Sequence, residues 1–209
     1  MTINGGRDSV TSAVDRALAK QRADATQEVE AILDAALRVA ERSAPAAPRV
    51  ADIVAEAKSS NQAFYRYFNG KDDLMLAVME RGLLRVQTYV AHLMEKESDP
   101  LEKVAAWIRG ILTQVTDETA ARQSVAVSMQ LGWRSRHTLG EPLVSELGSL
   151  LIEPIRQAGS ETAELDAQVI DEAVMGTMNR HMRHGTAPDA DACDHLVSFC
   201  LRGLALGRR

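Results

Sequence analysis

The stretch Ser60-Asn61-Gln62-Ala63-Phe64-Tyr65-Arg66-Tyr67-Phe68-Asn69-Gly70-Lys71 decides how this 209-residue chain is read. Phe64 and Phe68 are four apart, so on a helix they share one face and anchor it to its neighbours. Ser60 suits the N-cap, which places Asn61 and Gln62 in the first turn. Their amide side chains match the paired donor and acceptor that adenine shows in the major groove. Tyr65 and Tyr67 carry hydroxyls suited to phosphate oxygens. Asn69-Gly70 makes a turn, and Lys71 opens the next helix, where its charge and the helix dipole both attract a phosphate. Of the eight aromatic residues, four fall within positions 64–68, although the chain is only 4% aromatic.

Upstream, Val29, Ile32, Leu33, Ala36 and Val39 form the stripe of a helix expected over Thr26–Arg42, with Thr26 as its N-cap and Pro45 and Pro48 beyond its end. Residues 8–22 read as a short helix or an arm. Val50, Ile53, Val54 and Ala57 recur at helical spacing and predict a second, short helix over Val50–Ala57. Three short helices within about 45 residues, with a tight turn before the third, follow the pattern of a helix-turn-helix DNA-binding unit.

Downstream of Gly70, one long helix is expected to reach towards Lys96. Further helices follow over roughly 100–117, 119–134, 141–158, 163–184 and 189–206. Pro100 fits an N1 position, and Pro154 predicts a kink in the helix expected over 141–158. No alternating strand pattern occurs. The fold class is therefore all-α, divided into an N-terminal arm (1–25), a helix-turn-helix domain (26–72) and a larger C-terminal domain (73–209).

The net charge of −5 would argue against a nucleic-acid partner, but it is unevenly spread. Up to Arg85 there are 12 Lys+Arg and 12 Asp+Glu; beyond it there are 12 and 17. The acidity belongs to the C-terminal part, which leaves the N-terminal part able to present a local basic face. No apolar run reaches the roughly 18 residues of a membrane span, and Met1–Arg22 lacks the apolar core of a signal peptide. Cys193 and Cys200 are seven apart on one expected helix, about 10 Å of rise, too far to bridge. A reducing cytoplasm is the expected setting.

Ala35–Leu76 resembles the DNA-binding domain of the TetR family of bacterial transcription regulators. Ala35-Ala36-Leu37 resembles the end of that family's first helix and Val50–Ala57 its second. Tyr65-Arg66-Tyr67-Phe68-Asn69-Gly70-Lys71-Asp72-Asp73-Leu74 resembles the signature across its recognition helix and following turn. The chain departs from the family pattern at Lys58-Ser59 in the turn, where a Gly-hydrophobic pair is common. It also departs at Ala40, at Ala44-Pro45 and at Arg49. The resemblance implies that Asn61, Gln62 and Arg66 read bases, and that Arg49, Ser60, Tyr65, Tyr67 and Lys71 contact phosphates. It further implies a C-terminal homodimer interface and an effector pocket.

For that interface, Ala173 and Gly176 permit close approach beside Val169, and Leu196, Val197, Cys200 and Leu204 form a stripe on the last helix. Trp107, Ile111, Met129 and Trp133 are the candidates to line the pocket. His181 and His184 have no partner set of metal-ligand spacing. No nucleophile–base pair, phosphate loop or cofactor motif is present, so no catalytic, metal or cofactor residue is assigned and the chain is not read as an enzyme. The expected function is a ligand-relieved repressor that binds a pseudo-palindromic operator as a homodimer. The alternative is a helical-bundle interaction module or enzyme without DNA binding.

Overall fold

A computed structural model describes residues 5–139 and 146–206, the side chains of residues 5–9, 130–139 and 206 excepted. Among the described residues the chain is helical, without strands. The elements are α1 (Gly5–Ser43), α2 (Val50–Glu56), α3 (Asn61–Tyr67), α4 (Lys71–Glu95), α5 (Pro100–Thr116), α6 (Glu118–Leu139), α7 (Ile152–Gln157), α8 (Ala163–His184) and α9 (Ala190–Leu206). No described helix is long and apolar enough to cross a membrane.

Three helix starts and ends differ from the sequence reading. First, α1 runs through Thr26 without a break, so Thr26 is not an N-cap. No glycine or proline stands between Gly6 and Pro45, and the Ala-rich segment before Thr26 has high helix propensity. Every residue from Val10 to Asp24 on this extension is exposed. Second, the segment expected as one kinked helix over 141–158 contains a helical turn at 146–149 and then α7. Pro154 therefore lies in the first turn of a new helix, where its missing N–H is no loss. Third, α6 continues to Leu139. Pro100 does occupy the start of α5, with Asp99 capping the N–H groups of Leu101 and Glu102 at 2.8 and 3.2 Å.

Two apolar cores result. The first gathers Ile32, Ala36, Val39 and Ala40 of α1, Ile53 of α2, Phe64 and Phe68 at α3, and Leu74, Met75 and Val78 of α4. The second packs Val90 and Met94 of α4 with Trp107, Ile108 and Ile111 of α5, Leu151 and Ile155 around α7, Ile170 and Val174 of α8, and Val197 and Cys200 of α9. α4 belongs to both cores. Ala126 of α6 is buried in the first, so α6 packs directly against α1.

Candidate nucleic-acid interface and internal cavity

The reading end is built by short-range chemistry. The Ser60 hydroxyl accepts the Ala63 N–H at 3.0 Å and caps α3. Behind it, α2 ends with two hydrogen bonds, from the Ser59 N–H to the Val54 carbonyl at 3.0 Å and from the Lys58 N–H to the Ala55 carbonyl at 3.2 Å. This is the Schellman arrangement. It places Lys58 at φ 53°, in the left-handed region. On the inner face Phe64 is fully buried, edge-on to Tyr65 with ring centroids 5.0 Å apart and 5.7 Å from Phe68.

That anchoring turns Asn61, Gln62 and Tyr65 outward, with Tyr65 62% exposed. Arg49 is the exposed residue before α2, Ser60 is exposed beside its cap, and Lys71 begins α4, half-buried. The Asn69 N–H and side-chain amide both donate to Asp73, at 2.9 and 3.1 Å, which fixes the turn that presents Lys71. Seven of the eight predicted DNA-binding residues are thus exposed or stand at a helix start. Tyr67 is the exception: it is half-buried and its hydroxyl donates to Glu28 of α1 at 2.8 Å. Glu28 also pairs with Arg66 at 3.5 Å and accepts from Ser59 at 3.5 Å, while the Arg66 guanidinium lies 5.4 Å from the Tyr67 ring centre.

Glu28 is the residue that sequence reasoning missed. Its signal there was only that of an acidic residue near an expected helix start. Glu56 does comparable work between α1 and α2, pairing with Arg38 and Arg42 at 2.9 Å each. The bonds from Arg38, then Arg42, hold its carboxyl below the usual carboxylate range.

A cavity of about 1120 Å³ opens between α4, α5, α6, α8 and the 147–152 segment, and reaches Leu37 of α1. It is large beside the roughly 300–1,000 Å³ of ordinary ligand pockets. Val86, Ile111, Met175 and Met178 give it apolar walls, and Arg81, Arg85 and Asp171 bring charge. Of the four residues predicted to line a pocket, Ile111 does so. Trp107 does not: it is wholly buried, and its indole N–H donates to the Leu147 carbonyl at 2.9 Å. Met129 is 54% exposed, away from the cavity lining, and the Trp133 side chain lies outside the described residues.

The expected interface residues also divide. Val169 is 65% exposed and Gly176 is exposed with open space around it; Ala173 and Leu196 are half-buried. Val197, Cys200 and Leu204 are buried in the second core, so that stripe of α9 packs inward and is unavailable to a partner. The outward face of α9 instead carries Phe199, 62% exposed, and α8 adds Leu165, 64% exposed. Cys193 and Cys200 are free thiols, and burial, before anything else, pushes both above the usual thiol range.

Residues 32–78 match the family profile described as bacterial regulatory proteins, tetR family. No curated protein matches the chain. Solved structures share its fold. A transcriptional regulator from Rhodococcus sp. Rha1 aligns with TM-score 0.68 at 16% identity, over 86% of this chain and 96% of that one. A TetR-like transcriptional regulator from Rhodococcus sp. RHA1 aligns with TM-score 0.59 at 24% identity, over 85% and 96%. The transcriptional regulator FadR from Bacillus subtilis, solved in complex with stearoyl-CoA, aligns with TM-score 0.61 at 18% identity, over 85% and 98%.

Proposed function

We propose that this chain, whose residues 32–78 match the profile of bacterial regulatory proteins, tetR family, is a cytoplasmic repressor that binds a pseudo-palindromic operator as a homodimer and is released by a small molecule. The observation that carries this reading is the outward presentation of Asn61, Gln62 and Tyr65 from a helix locked on its other face by Phe64 and Phe68. Asn61, Gln62 and Arg66 read base edges; Arg49, Ser60, Tyr65, Tyr67 and Lys71 hold phosphates. Arg66 and Tyr67 are oriented by Glu28 in the free protein, and both exchange that carboxylate for the nucleic acid, the Tyr67 hydroxyl having a single proton to donate. Residues 1–25 form the arm, 26–72 the reading head and 73–209 the regulatory body.

Release follows from α4, which supplies Leu74 and Val78 to the head core, Arg81 and Val86 to the cavity wall, and Val90 to the body core. Arg81 pairs with Asp34 of α1 at 2.8 Å, so a ligand that displaces the wall also moves the α1–α4 contact. The ligand acts by favouring a spacing of the two heads that no longer fits the operator. A long apolar body suits the cavity, as the stearoyl-CoA bound by the Bacillus subtilis neighbour illustrates for that protein.

The test is a mobility-shift titration with DNA flanking the chain's own gene. Specific binding that weakens as salt rises is expected. Failure to shift any fragment at low salt would sink the regulator reading in favour of an interaction module.

A further inference from the structure

We propose that the ligand of the internal cavity is an apolar molecule bearing a protonated amine, held by the carboxylate of Asp171; this rests on the reading of the cavity as the effector site. Asp171 stands on α8 in the cavity wall. Its Oδ1 is closed off from solvent and has no hydrogen-bond partner among the described residues. Gly148 packs closely on it: a Cβ there would lie 3.1 Å from the Asp171 Cγ, so a larger residue would push the carboxylate by a few tenths of an ångström.

No cation of the described chain pairs with it. Arg81 and Arg85, the arginines of the cavity wall, are turned to Asp34 of α1, at 2.8 and 4.0 Å. Arg156 is committed to Glu153 and Glu164. Burial, with Glu172 beside it, pushes the Asp171 carboxyl up to about 6, which still leaves it charged at neutral pH. An oxygen withdrawn from water without a donor is costly until a counter-charge reaches the half-buried carboxylate. Elsewhere in its lining the cavity carries further carboxylates, Asp117, Glu164 and Glu172, which disfavour an anionic head. The competing features are the Arg81 Nη2, buried and without a partner, and Arg85, only 4.0 Å from Asp34, which would both suit an acceptor.

Decylamine, decanol and decanoate share an apolar chain and differ in the head group, so titrating each into the full-length protein by calorimetry at pH 7.5 separates the cases. Decylamine should bind most tightly. Asp171→Asn should weaken it by about tenfold or more and leave decanol almost unchanged, because only a charge-assisted bond is lost. Gly148→Ala, which crowds the carboxylate and keeps its charge, should weaken the amine as well. Tighter binding of decanoate, an amine affinity indifferent to Asp171→Asn, or no binding of any of the three would overturn the proposal. Operator binding measured on the same preparations separates the two failures. If it persists while the amine preference is absent, the ligand class alone is wrong; if it is absent, the regulator reading falls with it.

Discussion

Gln62 and Lys71 lie at two ends of the same motif, and different physics governs each. Gln62 stands free in the first turn of α3, where an amide can distinguish one base edge from another. Gln62→Ala or Asn61→Ala should cost about 1–3 kcal/mol on the preferred operator and flatten base preference. Lys71→Ala should weaken all sequences alike and lower the salt slope by about one. Competition binding on single-base operator variants reads both; a Lys71→Ala effect confined to one base position would refute its phosphate role. Asp171 gives a second prediction. Its folded carboxyl, near 6 against an ordinary 3.8, holds its proton more tightly than the unfolded chain does. The penalty is therefore absent below about pH 4, grows as pH rises through 6 and is complete above it. Because the group is partly exposed, roughly 1–2 kcal/mol is the scale. Asp171→Asn should be more stable than the parent at pH 7.5 and lose that advantage by pH 4; a constant difference across this range would rule out the ionisation. The sequence disclosed the aromatic anchors and the polar first turn because both are local. Glu28 was not legible, since its bond to Tyr67 spans 39 residues. Trp107 was misplaced for a related reason: periodicity puts it on an apolar face without saying whether that face looks at a cavity or at Leu147.

Helix ends explain which element boundaries could be read. Three described helices close with the same pair of backbone bonds, after α2, α7 and α8. Two use glycine in the positive-φ position, Gly159 and Gly185, and the third uses Lys58. Turns with glycine announce themselves in a sequence, whereas Lys58-Ser59 is visible only as a departure from a familiar pattern. Lys58 bears the steric cost that glycine would avoid. Lys58→Gly should raise stability by about 1 kcal/mol, or roughly 2–4 °C in the midpoint of thermal unfolding for a chain of this size. Ser60→Ala, four residues before the buried Phe64, should lower it by about 1 kcal/mol by removing the cap of a seven-residue helix. Scanning calorimetry of the two variants checks both signs, and a loss on Lys58→Gly would mean that the lysine side chain does more than tolerate its backbone. The absence of a break in α1 follows the same logic from the other side: without glycine or proline between residues 6 and 45, nothing stops the helix at Thr26.

For the molecule as a whole, charge, cavity and assembly meet along α4 and on the outer faces of α8 and α9. A neutral head on an acidic body was visible from residue counts, and so was the all-helical class, because both depend on composition and period. Which side of α9 faces outward was not, since Val197, Cys200 and Leu204 look equally suited to a core and to a partner until α5 is seen to cover them. On α8 and α9 the exposed large apolar side chains are Leu165, Val169 and Phe199, with Gly176 and Gly203 leaving room for close approach. Burying such a patch against its own copy about a two-fold axis would set two copies of α3 at a fixed separation, and about 34–36 Å is what successive turns on one face of DNA require. A charge placed in the patch has to be desolvated on association and finds its twin across the axis. Phe199→Glu and Val169→Glu should therefore leave the helical fold intact, since both side chains are exposed, and convert the protein to a 22.8 kDa monomer at micromolar concentration in sedimentation equilibrium. Operator affinity should fall with assembly, because each monomer retains the contacts of one half-site only. Should both variants sediment as the parent does while that parent is dimeric, the interface lies on another face, and the head spacing must be set by different helices.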